Sequence, residues 1–148
     1  LFWECHMKNM LAVLQDKAPG VYSVHAKDSV LDALKLMAEH HIGSVLVMEN
    51  GKLQGIATER DYARKVVLLG KVSSSTPIAD IMSHPVTTVL PTDTVSHCME
   101  IMHKHKIRHL PVLEGEDVIG LISIGDLVKA VIEQQQIEIE QLQNYIAG

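Results

Sequence analysis

The sequence repeats itself, and no other feature constrains the fold as strongly. Residues 21–68 align with residues 86–133 without a gap, at an offset of 65. Identities fall at Val21, Val24, Asp28, Val30, Met37, His40, Ile42, Val47, Glu49, Gly55, Asp61 and Val66 of the first copy, 12 of 48 positions. Others pair by type: Leu36 with Ile101, Leu53 with Val118, Thr58 with Ser123. A shared amphipathic pattern would match apolar types, but it would not align Gly55 with Gly120 or Asp28 and Asp61 with Asp93 and Asp126. Duplication is the better reading. Two copies of one supersecondary unit imply two faces buried against each other.

Each copy reads β-α-β-β-α, a mixed α/β (α+β) unit. In the first, Val21–Val24 predicts a short strand, and Asp28 caps a helix with Val30, Leu34, Met37 and Ala38 on one stripe. Gly43 closes that helix region. Ser44–Met48 is a buried-strand run, Asn50-Gly51 a two-residue hairpin turn, and Leu53–Ala57 the returning strand. The final helix runs from Glu59 to about Leu69. The second copy predicts a strand at Val86–Val89, a helix from Asp93 to about His105, strands at His109–Leu113 and Val118–Ile122, and a last helix from Gly125. Its hairpin, Glu114-Gly115-Glu116-Asp117, reads as a longer, more polar turn. The organisation is then a first motif at 8–70, a Ser-rich linker at 71–77, a second motif at 78–133 and a helical extension at 134–148. Leu1–Cys5 lacks the basic and long apolar stretches of a signal peptide, and His6-Met7 reads as a cloning junction. Residues 1–7 are set aside as a tag or cloning remnant. A copy of this size is marginal alone, so the pair is expected to fold as one body.

Composition narrows the function. The chain has 148 residues, 47% hydrophobic and 21% charged, which excludes a disordered tail protein. No apolar run reaches the roughly 18 residues of a membrane span, so no membrane partner is expected. Thirteen Lys and Arg against eighteen Asp and Glu give a net charge of −5, with no long basic block. That argues against nucleic acid as a partner. Cys5 and Cys98 are too few and too far apart for a disulfide framework or a zinc site, so a reducing, cytoplasmic compartment is the expectation.

Both copies place a hydroxyl and a carboxylate at one strand-to-helix corner: Thr58-Glu59-Arg60-Asp61, and Ser123-Ile124-Gly125-Asp126. The bland explanation is a helix cap, because Ser or Thr three residues before an acid is nearly a capping box. Two details point further. The capping box prefers Glu or Gln, whereas both copies have the shorter Asp. Each corner also follows a strand that starts with Gly, where backbone can approach a ligand closely. A helix N-terminus with a hydroxyl suits an anion, and a carboxylate beside it can bind a ribose diol.

These features resemble a tandem pair of cystathionine-β-synthase (CBS) motifs, a Bateman module. The doubled Gly-h-x-Thr/Ser-x-x-Asp corner, the Ile107-Arg108-His109-Leu110-Pro111-Val112 strand and the element order carry the resemblance over about residues 8–133. It is closer still to small free-standing bacterial CBS-pair proteins. The resemblance implies two pseudo-symmetric motifs packed as one module. Adenosine compounds (AMP, ADP or ATP, sometimes NAD or S-adenosylmethionine) would bind in clefts between them. By position, one cleft would join Thr58, Arg60 and Asp61 with Val86, Thr87, Arg108, His109, Leu110 and Pro111. The mirror cleft would join Ser123 and Asp126 with Tyr22, Gly43, Ser44 and Val45. Asp would bind the ribose, Thr or Ser a phosphate, and strand backbone the adenine edge. The clefts are unequal: Arg108, His109 and Arg60 in one are matched by Gly43, Ser44 and Gly125 in the other, with Lys129 a turn further on. Tighter nucleotide binding is expected at the Thr58–Asp61 cleft.

Nine histidines raise a metal hypothesis, but His103 and His105 are two apart on a helix and point to different faces. Cys98 sits at an apolar helix position, as a buried thiol does. The last helix keeps Ile132, Ile139, Leu142 and Ile146 at helical spacing among Gln and Glu, a stripe expected to cover a partner subunit in a homodimer. The reading is a non-enzymatic adenosine-nucleotide sensor acting on an effector protein. The rival is a ligand-free scaffold whose corner aspartates only cap helices. An enzyme acting on a nucleotide is a remote third, because no paired general acid and base surrounds the corner.

Overall fold

The computed structural model describes residues 8–147. Contacts divide them into two units: residues 20–87, and residues 8–19 with 88–147.

In the unit 20–87, a three-stranded sheet has the order β1(Ser23–Val24)-β2(Ser44–Glu49)-β3(Lys52–Thr58), with β1 parallel and β3 antiparallel to β2. Helix α2 (Val30–His40) buries Val30, Ala33 and Met37, and these join Val45, Val47, Ala57, Val66, Ile78 and Ile81 in the core. Asn50 and Gly51 both have positive φ, as the Asn-Gly turn predicts. The other unit contains α1 (Met10–Gln15), α4 (Val95–His105), the hairpin β4 (His109–Glu114)–β5 (Asp117–Ser123), and α5 (Ile124–Ala147). Its core joins Met10 and Val13 of α1 to Val95, Cys98, Met102, Leu110, Val112, Ile122 and Leu127. Both hairpins shift register at equivalent places, Val47/Met48 and Val112/Leu113, so duplication extends to the bulge.

Each unit recruits a lead-in segment. Val30 N–H donates to the Thr76 carbonyl and Ile78 N–H to that of Asp28; Val95 N–H donates to Lys8 and Met10 N–H to Asp93. Lys8, Met10 and Leu14 therefore correspond to Thr76, Ile78 and Met82, at an offset of 68 rather than 65. The segment read as linker is tied down by these bonds, and Thr76 is buried.

Several local expectations are corrected. Asp28 and Asp93 do not cap α2 and α4. Ser29 and Thr94 do, accepting from the N–H groups of Asp32 and His97, while the aspartates close the preceding turns by accepting from His25 and Leu90. Gly43 does not end α2; His41 does, at φ 54°, and Lys106 ends α4 likewise at φ 55°. The turn after β4 is no longer than its counterpart, because Glu114 pairs with Asp117 around Gly115 at φ 65°. The strand expected at Val86–Val89 shrinks to a bridge between Val89 and Val112. The cause is Pro111. Its counterpart Leu46 donates its N–H to Tyr22, and proline has no N–H to give. The helix expected from Glu59 to Leu69 is one α-turn, α3 (Glu59–Tyr62), followed by a π-turn at Ala63–Val67. Val66 stays in the core, and Val67, Leu68 and Leu69 are exposed.

Candidate functional site

At the first corner, β3 leaves the sheet and Thr58 caps α3. Thr58 Oγ1 accepts from the Asp61 N–H at 3.3 Å, and Asp61 Oδ2 accepts from the Thr58 N–H at 3.0 Å. The capping box is complete, so Asp is long enough to close it. Asp61 is largely buried; its Oδ1 faces Lys65 Nζ at 3.2 Å, and that ammonium also donates to the Ile81 carbonyl at 2.9 Å. The start of β2 lies alongside, with Ser44 paired to Thr58, Val45 to Ala57, and the Glu59 N–H donating to Gly43. Tyr22, just before β1, accepts from the Leu46 N–H, and its ring stacks on His40 at 3.8 Å. Ser83 pairs with Ile56 two residues before Thr58 and leads on to Val86 and Thr87.

The second corner repeats this with a different cation. Asp126 Oδ2 accepts from the Ser123 N–H at 2.8 Å, and Ser123 Oγ accepts from the Asp126 N–H at 3.2 Å. Lys17, from the lead-in, reaches Asp126 Oδ2 at 2.8 Å and the Leu121 carbonyl at 2.7 Å. Burial alone would raise the Asp126 carboxyl; the Lys17 ammonium and the Ser123 N–H outweigh it and hold the group below its ordinary range. His109 pairs with Ser123, and the Ile124 N–H donates to Arg108, so the start of β4 lies beside this corner. Burial, then the Lys17 charge and to a lesser degree that of Arg108, push the His109 imidazole below its usual value against the opposing pull of the Asp126 carboxylate. Leu110 is buried, and Pro111 accepts from Val89. Within each unit, then, a corner sits beside the strand start of its own motif.

The glycines of the motif have a packing role. A Cβ at Gly120 would overlap the side chain of Leu14, and one at Gly55 the side chain of Met82. Lys17 and Lys65 were missed by sequence reasoning. Lys65 follows Asp61 by four residues, a spacing that puts them on one helix face. Lys17 is 109 residues from Asp126, and no local pattern announces it.

Beside the second corner lies an open cavity of about 210 Å³, lined by Lys8, Asp16, Lys17, Asp126, Lys129 and Glu133 among others. Lys8 pairs with Asp16 at 2.7 Å and with Glu133 at 3.4 Å, and the Asp16 bond raises the ammonium and lowers the Asp16 carboxyl. His103 and His105 lie in the last turn of α4, and among the described residues no group of three His, Cys, Asp or Glu could hold a metal. No helix among them is long and apolar enough to cross a membrane.

Comparison with known proteins places this geometry. The CBS domain family model matches residues 17–68 and again 78–133. The CBS domain-containing protein CBSX3, mitochondrial, of Arabidopsis thaliana is 41% identical over 126 residues, covering 82% of this chain but only 61% of that protein. A solved structure of a protein with CBS domains from Burkholderia ambifaria is 47% identical, with a TM-score of 0.84 over 86% of this chain and 96% of the other. The CBS domain pair of protein MJ0100, solved with 5′-methylthioadenosine and S-adenosyl-L-methionine, shares the fold with a TM-score of 0.77 at 24% identity, over 86% of this chain and 98% of that one.

Proposed function

The chain belongs to the CBS domain family, with two copies of the domain in tandem, and from that premise we propose that it is a sensor of adenosine compounds whose ligands bind at the Thr58–Asp61 and Ser123–Asp126 corners. The observation that carries this reading is the doubled corner itself: the same hydroxyl, carboxylate and hydrogen bonds stand at the same register of both copies. In each, the aspartate takes the ribose hydroxyls. Asp126 receives both Ser123 and Lys17 on Oδ2, which leaves Oδ1 to accept from a ribose. Thr58 and Ser123 meet a phosphate, and Arg60, Arg108 and His109 add charge or donors for it. The adenosine compounds bound by the MJ0100 domain pair support the ligand class.

The ligand acts by shifting an equilibrium between conformations, and an effector protein reads the shift. The protein is not an enzyme in this reading; it works as a homodimer in the cytoplasm. A second reading, a ligand-free scaffold, draws on the completeness of the Thr58–Asp61 capping box. Thermal denaturation with AMP, ADP, ATP, NAD and S-adenosylmethionine separates the two. A ligand at a hundred times its dissociation constant adds about 2.7 kcal/mol of stability. No shift with any of the five at millimolar concentration leaves the scaffold.

A further inference from the structure

Helix α5 spans 24 residues, and residues 135–147 are exposed on every side. An isolated helix this rich in Gln and Glu has little reason to persist in water. One face is apolar nonetheless. Val128, Ile132, Ile139, Leu142 and Ile146 are all exposed, and with Gln135 they are spaced four, three, four, three and four residues apart. That is a heptad seam. Ile132, Ile139 and Ile146 occupy its a positions, and Val128, Gln135 and Leu142 its d positions. Ala130, buried against its own unit, lies on the opposite side with Ile137 in line with it, and Leu127, also buried there, lies about a quarter-turn or more from the seam.

We propose that residues 128–146 pair with the same segment of a second copy as a parallel, in-register, two-stranded coiled coil. The inference specifies the self-association in the reading above and rests on that part of it alone. Isoleucine fills all three a positions and leucine one of the three d positions, and isoleucine at a with leucine at d favours two parallel strands. In that register the flanking g and e positions place Glu138 opposite Gln143 of the second copy, with no like charges facing. An antiparallel pairing that keeps a against d would set Glu138 against its own copy and Ile139 against Gln135. In the parallel register Gln135 meets Gln135, an amide pair able to bond to itself and to fix alignment. The Gln134–Glu138 and Gln136–Glu140 bonds, at 3.5 and 3.4 Å, run outside the a/d seam and leave it clear.

Cysteine cross-linking of the full chain tests this in a Cys5→Ser background; Cys98 is buried and stays silent. In a glutathione redox buffer, Leu142→Cys should become mostly disulfide-linked dimer. Asn144→Cys, on the opposite face, should link at least about tenfold less, because d positions approach each other across a parallel seam. Equal linking of the two, or none at Leu142→Cys, overturns the proposal. So does linking that needs a mixture of Gln135→Cys and Ile139→Cys, the mark of antiparallel strands. In parallel, Ile139→Glu should shift the mass by light scattering from dimer to monomer, and an unchanged dimer counts against the seam. No ligand enters either readout, so loss of nucleotide binding and loss of the coil are separable results.

Discussion

Lys17 holds the Asp126 carboxylate at 2.8 Å from a lead-in segment 109 residues away, whereas the equivalent Asp61 is held by Lys65 one turn along its own helix. Equivalent carboxylates thus take their cation from different places. The second corner is tied by Lys17 to the segment that follows α1, and the first by Lys65 to the Ile81 carbonyl of its own lead-in. Lys17→Met should loosen α1 while leaving α5 helical, with a stability loss of about 1 kcal/mol or less for a partly exposed pair. Hydrogen exchange of residues 10–15 would register it, and unchanged protection there would show that Lys17 does not anchor the segment.

The same pair sets an acid limb. Asp126 titrates lower in the folded protein than its ordinary value of 3.8, so its contribution is present above that pH and is lost as pH falls through the folded value. In urea titrations from pH 6 to pH 3, Lys17→Met should flatten this part of the decline. An identical slope would assign acid sensitivity to other carboxylates.

His109 works in the opposite charge sense but with the same direction. Its imidazole is held below 6.5, so the unfolded chain binds the proton more readily and stability falls as pH drops through 6.5 toward the folded value. His109→Gln should remove that component. Titration of the His109 ring by NMR gives the direct check: a midpoint at or above 6.5 contradicts the burial and the Lys17 and Arg108 charges that define its surroundings.

Gly120 and Gly55 predict a packing result. Gly120→Ala puts a methyl into the side chain of Leu14, and overpacking of this kind costs about 1–3 kcal/mol. Leu14→Ala makes room, so the double variant should lose less than the sum of the singles. Chemical denaturation of the four proteins decides it, and additive losses would mean the methyl is accommodated elsewhere.

Those glycines also show where sequence reasoning stops. Alternation and the Asn50-Gly51 pair are enough for the first hairpin, because turn chemistry is local; the second carries no Asn-Gly pair, and its equally short turn reads as a longer one. The helix caps were placed one residue early, because Asp28-Ser29 and Asp93-Thr94 each offer two residues able to cap, and the bonds to the lead-ins decide between them. Those lead-ins, related at an offset of 68, are hidden by three extra residues that break the 65-residue register. The packing partners of Gly55 and Gly120, Met82 and Leu14, belong to those lead-ins, so no local pattern announces these contacts. The corner itself was legible, hydroxyl and carboxylate together. Neither lysine was read from the sequence, though the four-residue spacing of Lys65 from Asp61 is a local signal that could have shown it.

The last prediction separates cap from ligand site at that corner. Asp61→Asn keeps the shape and still accepts from the Thr58 N–H, so stability should change little. It replaces a charged acceptor for two ribose hydroxyls with a neutral one, and adenosine compounds should bind about tenfold more weakly. Arg108→Ala should weaken ATP and ADP more than adenosine, since only phosphates present charge to a guanidinium. Titration calorimetry of wild type and both variants with adenosine, AMP and ATP resolves the roles. Equal losses for adenosine and ATP in Arg108→Ala would make Arg108 structural. Unchanged affinity in Asp61→Asn would remove the ribose from this corner and leave its carboxylate as the other half of the capping box that Thr58 begins.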